Sequence, residues 1–326
     1  MKALVYDDVE TLVYRVMPDP VPGAGQSLIS IEASGICGSD MHAFLGHDER
    51  RPAPLILGHE AAGVVMGGAL DGTRVTINPL ATCGLCRACK SGRDNLCPDR
   101  MIISMPPREG AFSDYVVMAN RNLVTVPDDV PLTKAALAEP LACGWHAVRL
   151  GAAALDMPLA DAQCVVVGGG AIGVGAALCL RAFGATDIKV IEPNTLRRAT
   201  LDMIDGFDAV APGTVEQADL VIDGVGYAAT RADATAITRP GGVIMHIGLG
   251  EATGGLDIRR MTLQEITFIG TYTYTAEDFR QTAAAIFDGR LGPLDWTEER
   301  PLADGQQAFA DIRAGVVAAP KIILRP

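Results

Sequence analysis

Residues 162–173 read AQCVVVGGGAIG, an apolar run that stops at Gly168-x-Gly170-x-x-Gly173. An apolar helical segment, AIGVGAALCLRAFGA, follows directly. A glycine turn between a strand and a helix is the context this motif requires. The alternation continues with apolar strands at DIKVIE, DAVA, DLVIDGVG, GGVIMHIG and EITFIG, separated by helical stretches. That order predicts an α/β fold with a parallel, doubly wound sheet, and it limits the architecture more than any other feature of the chain.

Glycines in such a turn let the backbone approach a pyrophosphate, and the helix N-terminus favours its negative charge. Gly168, Gly170, Ala171, Ile172 and Gly173 are therefore candidate cofactor contacts. Glu192 ends the next strand, at the distance of about 20 residues where an acidic side chain bonds the adenosine ribose hydroxyls. A carboxylate there repels the 2'-phosphate of NADP, so NAD is the expected cofactor. Arg197 and Arg198 follow, and either could hold a phosphate or be solvated. Arg197 suits the adenine side. Val225, Gly226, Gly248 and Leu249 fall at strand ends, where ligands collect in such sheets. His246 lies inside a strand and reads as a core residue.

With 326 residues the chain has room for roughly two domains. The first 146 residues read as strand-rich, punctuated by Gly and Pro. A net charge of −12 argues against binding to nucleic acid or anionic membranes. No apolar stretch is long enough to cross a bilayer. The opening MKALVYDDVE has no apolar leader core, which makes the cytoplasm the expected location.

Of eight cysteines, four form the pattern C-x2-C-x2-C-x7-C: Cys83, Cys86, Cys89 and Cys97. Thiolates so spaced can wrap one tetrahedral ion, usually zinc. A disulfide pair is the competing reading, and a reducing compartment disfavours it. Four sulfurs leave zinc no open position, so this loop is structural. Cys164 and Cys179 sit in apolar surroundings and read as core.

A second set of ligand types comes from separated segments: GICGSDMH (35–42), GHEAAG (58–63) and AEPLACGWHA (138–147). They supply Cys37, His59, Glu60 and Glu139. Each alone is an ordinary core, loop or surface residue; their order around a structural-zinc loop is what gives them weight. One thiolate, one neutral imidazole and one carboxylate would balance Zn2+.

With these pieces, and with GTRVTINP and EGAFSDYVV, the chain resembles the zinc-dependent medium-chain alcohol and polyol dehydrogenases over essentially its whole length. The resemblance implies a strand-rich GroES-like catalytic domain (1–146), a Rossmann domain (147–270) and a tail (271–326) that rejoins the first. It implies two zincs per chain. Cys37 and His59 would hold the catalytic one, with Glu60 and Glu139 in the carboxylate positions and Cys143 a lesser candidate. Ser39 would take the hydroxyl proton of a small alcohol, and His42 would pass it to solvent. The nicotinamide would meet the backbone near Val225, Gly226, Gly248 and Leu249. Homodimers or homotetramers are implied too.

Two departures stand out. The link after GHEAAG is short, and the polyol branch's arginine is replaced by Thr273 in Gly270-Thr271-Tyr272-Thr273. The expected activity is reversible oxidation of a secondary alcohol, polyol or amino alcohol. An aldehyde or alkene reductase, or a non-catalytic dinucleotide sensor, are the alternatives. Met41, Phe44, Leu45, His47, Phe112, Trp145 and Tyr272 are candidate pocket residues by adjacency to the motifs, and each could equally be core.

Overall fold

The computed structural model describes residues 1–326 as two compact units. The first comprises Met1–Glu139, Thr275–Gly289 and Thr297–Pro326; the second comprises Pro140–Tyr274 and Arg290–Trp296.

The first unit is built on strands. In Gln26–Gly35 the burial alternates, and Ile29 and Ile31 turn inward to meet Val65, Val75 and Ile77. Glu60–Met66 pairs antiparallel along one side of it. On the other side lies the last strand of the chain, Lys321–Arg325, which also pairs parallel with Thr297–Pro301. The sheet thus places Ile323 opposite Gly35, and Gly35 opposite Glu60. A second core gathers Leu4, Phe44, Phe112 and Leu324 around Phe309, with ring centroids 5.1 Å (Phe44) and 6.1 Å (Phe112) away.

The second unit holds six parallel strands in the order Asp208–Val210, Asp187–Ile191, Gln163–Val167, Ala218–Asp223, Thr238–His246, Thr267–Gly270. This is the doubly wound sheet that the strand and helix alternation predicts. Ala218–Asp223 is buried throughout, as a central strand covered on both faces must be. The chain order reverses beside Gln163–Val167, which opens a crevice at the carboxyl ends of the strands.

The helix Ala138–Ala154 crosses from one unit to the next in its first turn, where Pro140 costs no helical hydrogen bond. The units therefore divide at Glu139/Pro140, ahead of the division after residue 146 suggested by the sequence. Gly144 explains the helix's allegiance: a Cβ there would lie 2.7 Å from the Ala176 backbone nitrogen. Without one, this helix seats directly on Ala171–Ala182 of the second unit.

Candidate active site

Cys37 caps the short helix Gly38–Phe44, and its backbone N–H donates to Asp40 Oδ2 at 3.0 Å. His59 and Glu60 stand at the start of the neighbouring strand. One ligand atom each from Cys37, His59 and Glu60 falls within 4.8 Å of the others. Asp40, 0% exposed, fixes the imidazole, with Oδ1 3.3 Å from His59 Nδ1. The same oxygen accepts the Gly58 N–H at 3.3 Å. With Nδ1 facing a carboxylate, Nε2 is the nitrogen left to bind an ion. Ser39 Oγ lies 3.5 Å from that Nε2. Burial alone would raise the Asp40 carboxyl; the charge and hydrogen bond of His59, then Arg51, hold it below its ordinary range. Burial alone would lower His59, yet Asp40 and Cys37 pull it well above its ordinary value.

Glu60 has a partner that the sequence reading missed. Lys321, whose side chain is 3% exposed, places Nζ 2.7 Å from both carboxylate oxygens and donates to Oε1 and to Ile36 O. Oε2 is left with no hydrogen bond. It occupies space that only Gly35 leaves, since a Cβ on Gly35 would sit 2.1 Å from it. Burial would lower the Lys321 ammonium, but Glu60, Cys37 and Glu139 raise it. The only sequence signal for this role was a lone lysine opening the apolar strand KIILR. A thiol, an imidazole with its second nitrogen fixed, and a buried carboxylate whose Oε2 accepts no hydrogen bond fit a zinc ion. Glu139 is buried, acts on Lys321 through its charge, and stands outside the group of three. Of the other polar residues named from the sequence, Ser39 joins this cluster. His42, in the last turn of its helix, instead pairs edge-on with exposed His47, with centroids 6.5 Å apart.

The four-cysteine loop is closed by a small hairpin, Leu80–Ala81 with Met101–Ile102. Cys89 Sγ lies 3.5 Å from Cys86 Sγ and 3.9 Å from Cys83 Sγ. Backbone N–H groups of Leu85 and Cys86 point at Cys83 Sγ, and they lower that thiol to about 6. Cys89 is pushed up to about 11, by burial first and by Cys86 next. Sulfurs this crowded cannot all ionise without a cation among them, so the loop fits a zinc ion. Asp94, within the loop, accepts the Ala276 N–H at 3.2 and 3.1 Å and anchors the loop to the helix Ala276–Phe287.

In the second unit, Gly168 adopts φ 98°, and a Cβ on Gly173 would lie 1.7 Å from Gly168 O. Gly170 caps the helix Ala171–Ala182 without a side chain, and a Cβ there would meet nothing within 4 Å. Uncapped N–H groups of Ala171, Ile172 and Gly173 beside open space fit a dinucleotide pyrophosphate. Glu192 is tied to this loop, with Oε2 accepting Gly169 N–H and Oε1 accepting Asn194 N–H, both at 2.8 Å. Arg197 rests on Glu192, with Nη1 3.6 Å from Oε2. Val225, Gly226 and Gly248 lie at the ends of the central strands, while Leu249 is 72% exposed.

Of the residues that adjacency left open between pocket and core, Phe44 and Phe112 are core residues, and Met41 and Leu45 pack on the same cluster. Trp145 is buried against Phe183 at 4.7 Å. His246 is not core: it ends its strand half-buried, with Nδ1 3.2 Å from Asp223 Oδ2, because the strand stops at the crevice.

Two family models match the chain: the alcohol dehydrogenase GroES-like domain over residues 23–128, and the zinc-binding dehydrogenase domain over residues 171–288. L-galactonate-5-dehydrogenase of Escherichia coli (strain K12) is 32% identical over 309 residues, covering 89% of this chain and 88% of that protein. Sorbitol dehydrogenase of Bacillus subtilis (strain 168) is 36% identical over 206 residues, covering 60% of this chain and 57% of that protein. The crystal structure of an Escherichia coli oxidoreductase/dehydrogenase of unknown specificity superposes with a TM-score of 0.90 at 26% identity, covering 99% of this chain and 98% of that one. The chain belongs to the zinc-dependent medium-chain alcohol and polyol dehydrogenase family. It is accordingly an oxidoreductase of the zinc- and nicotinamide-dependent class, and no helix is long and apolar enough to cross a membrane.

Proposed function

We propose that this protein oxidises a secondary hydroxyl of a small polyhydroxylated substrate reversibly to the ketone. A hydride passes to NAD and a proton to solvent. Secondary alcohols and amino alcohols are the neighbouring candidates. The observation that carries the reading is the convergence of Cys37, His59 and Glu60, with Asp40 holding the imidazole by its far nitrogen.

When bound, zinc supplies a Lewis acid that acidifies a hydroxyl, and NAD supplies the hydride acceptor. The chain's own residues do the rest. Cys37, His59 and a carboxylate would hold the ion. Glu60, whose two oxygens both lie against Lys321 and whose Oε2 has no hydrogen bond, is one carboxylate available to that centre, and Glu139 is the second. Ser39, close to His59 Nε2, accepts the substrate proton, and half-buried His42 hands it outward. Gly168, Gly170, Ala171, Ile172 and Gly173 would take the pyrophosphate. Glu192 offers its remaining lone pairs to the ribose hydroxyls, which favours NAD over NADP. Arg197 is held beside it by the carboxylate.

The substrate class is supported by the relatives' names, a galactonate and a sorbitol dehydrogenase. Thr273 in place of the branch's arginine means that a neutral polyol is not recognised through a cation at that position. Thiols in place of disulfides and a nicotinamide cofactor suit the cytoplasm. Thr267–Gly270 is an edge strand with one unpaired side, which suits a homodimer or homotetramer built through the cofactor unit.

The test is a metal count joined to an NAD-reduction screen over polyols, secondary alcohols and amino alcohols. Two zincs per chain and turnover of at least one class are expected. A single zinc, lost on Cys83→Ala but unaffected by Cys37→Ala, would favour an alkene reductase or a sensor instead.

A further inference from the structure

The strands Ala218–Asp223 and Thr238–His246 end side by side, and each runs into a glycine turn. Gly226 has φ 82°, and a Cβ on it would lie 2.2 Å from Gly248 O. One on Gly248 would lie 2.1 Å from the carbonyl carbon of Val225. The two turns touch backbone to backbone, so a small displacement of either displaces the other.

One side chain fastens them together. Arg231, on the helix Ala228–Ile237, is 5% exposed. Its Nε donates to Gly254 O at 2.6 Å, and Nη1 donates to Gly226 O at 2.8 Å and Glu251 O at 3.0 Å. Nη2 donates to Thr253 O. All four acceptors are uncharged carbonyls, one in the first turn and three in the loop that follows the second.

Asp223 braces the first turn from below. Its Oδ1 accepts Val225 N–H at 3.0 Å and Gly226 N–H at 2.9 Å, and Oδ2 accepts Thr230 Oγ1–H at 3.0 Å. Glu251 completes the frame by accepting Ala228 N–H at 2.7 Å. A buried guanidinium is a costly way to gain stability, and an apolar side chain of similar volume often serves as well. What its rigid fork does uniquely is set several backbone groups at fixed directions.

We propose that Arg231 is a positioning residue for the nicotinamide half of the dinucleotide. With the Val225 and Gly226 N–H groups taken by Asp223 and the Gly226 carbonyl by its own guanidinium, it holds the first turn against the second so that the Gly248 carbonyl and the Leu249 N–H stay where a carboxamide, with one acceptor and two donors, can meet them. The adenine half is left to Gly168–Gly173 and Glu192. The inference rests on the reading that these turns take the nicotinamide.

Two ligands separate the halves: NADH, followed by its fluorescence, and ADP-ribose, which lacks the nicotinamide, followed by calorimetry. Arg231→Met should weaken NADH by about tenfold or more, the scale of one or two lost charged hydrogen bonds. Arg231→Lys keeps the charge without the fork, so it should fall between that variant and the native protein. ADP-ribose affinity and the zinc count should stay at native values in both variants. With substrate present, KM for NAD should rise more than kcat falls. If the Met variant does not fold, the Lys variant carries the comparison. Parallel losses of NADH and ADP-ribose, or no loss of either, would overturn the assignment. Native protein that binds NADH but not ADP-ribose would instead overturn the underlying reading of the glycine loop.

Discussion

The two candidate metal centres of the first unit are built in opposite ways. The four-cysteine loop offers all its thiols from residues 83–97, lies largely at the surface, and points its own backbone N–H groups at Cys83 Sγ. The Cys37–His59–Glu60 centre takes its ligands from two elements and its support from Asp40 and Lys321, the latter 261 residues from Glu60. A centre assembled within one loop shapes that loop. A centre assembled across a sheet inherits the sheet's rigidity and can hold a position open for chemistry.

That contrast can be broken experimentally, most forcefully at the loop. Cys83→Ser should release one zinc and unravel residues 83–97, removing a sizeable share of the roughly 10 kcal/mol that a structural zinc contributes. Metal analysis and thermal unfolding would show it; an unchanged melting temperature would mean that the hairpin holds the loop without metal. Cys37→Ala should do the converse. Turnover falls on the order of 10³-fold, the scale for losing a main stabiliser of transition-state charge, while the loop zinc and the melting temperature persist.

Lys321→Met leaves Glu60 buried without its counter-charge and should cost about 3 kcal/mol in denaturant unfolding. Pairing it with Glu60→Gln should restore part of that loss. Strictly additive losses in the double-mutant cycle would show that the two side chains act independently.

Asp40→Asn should lower metal affinity at the Cys37–His59–Glu60 site by about tenfold, the scale for losing the carboxylate that orients a metal-binding imidazole. In metal-stripped protein it should also flatten the acid side of the stability curve. The folded Asp40 carboxyl titrates below its ordinary range, so its contribution is present above that range and disappears as pH falls through the depressed value. An acid limb identical in the variant would remove Asp40 from that role.

These two centres also differ in how far they could be read in advance. The cysteine loop and the turn Gly168–Gly173 were legible because their chemistry is local: donor spacing in one, strand–glycine–helix succession in the other. Cys37 and His59 were legible as residue types in order, and the structure brings them together with Glu60. Lys321 was not legible, because its role depends on which strand lies beside Gln26–Gly35, and no local pattern encodes a partner that far along the chain. Phe44 and Phe112 stayed undecided between pocket and core for the same reason. Adjacency to a motif says nothing about which face of a side chain meets Phe309. His246 looked interior because it continues an apolar strand, and only the sheet reveals where that strand ends.

Periodicity and spacing along the chain were enough to specify a parallel glycine-turn unit, a four-sulfur knot and the set of ligand types, since each rests on contacts between near neighbours. Tertiary structure alone decided which carboxylate shares its charge with a buried lysine and which arginine fastens the two glycine turns. Both depend on backbone segments remote in sequence being brought within hydrogen-bond reach, and register and packing set that distance.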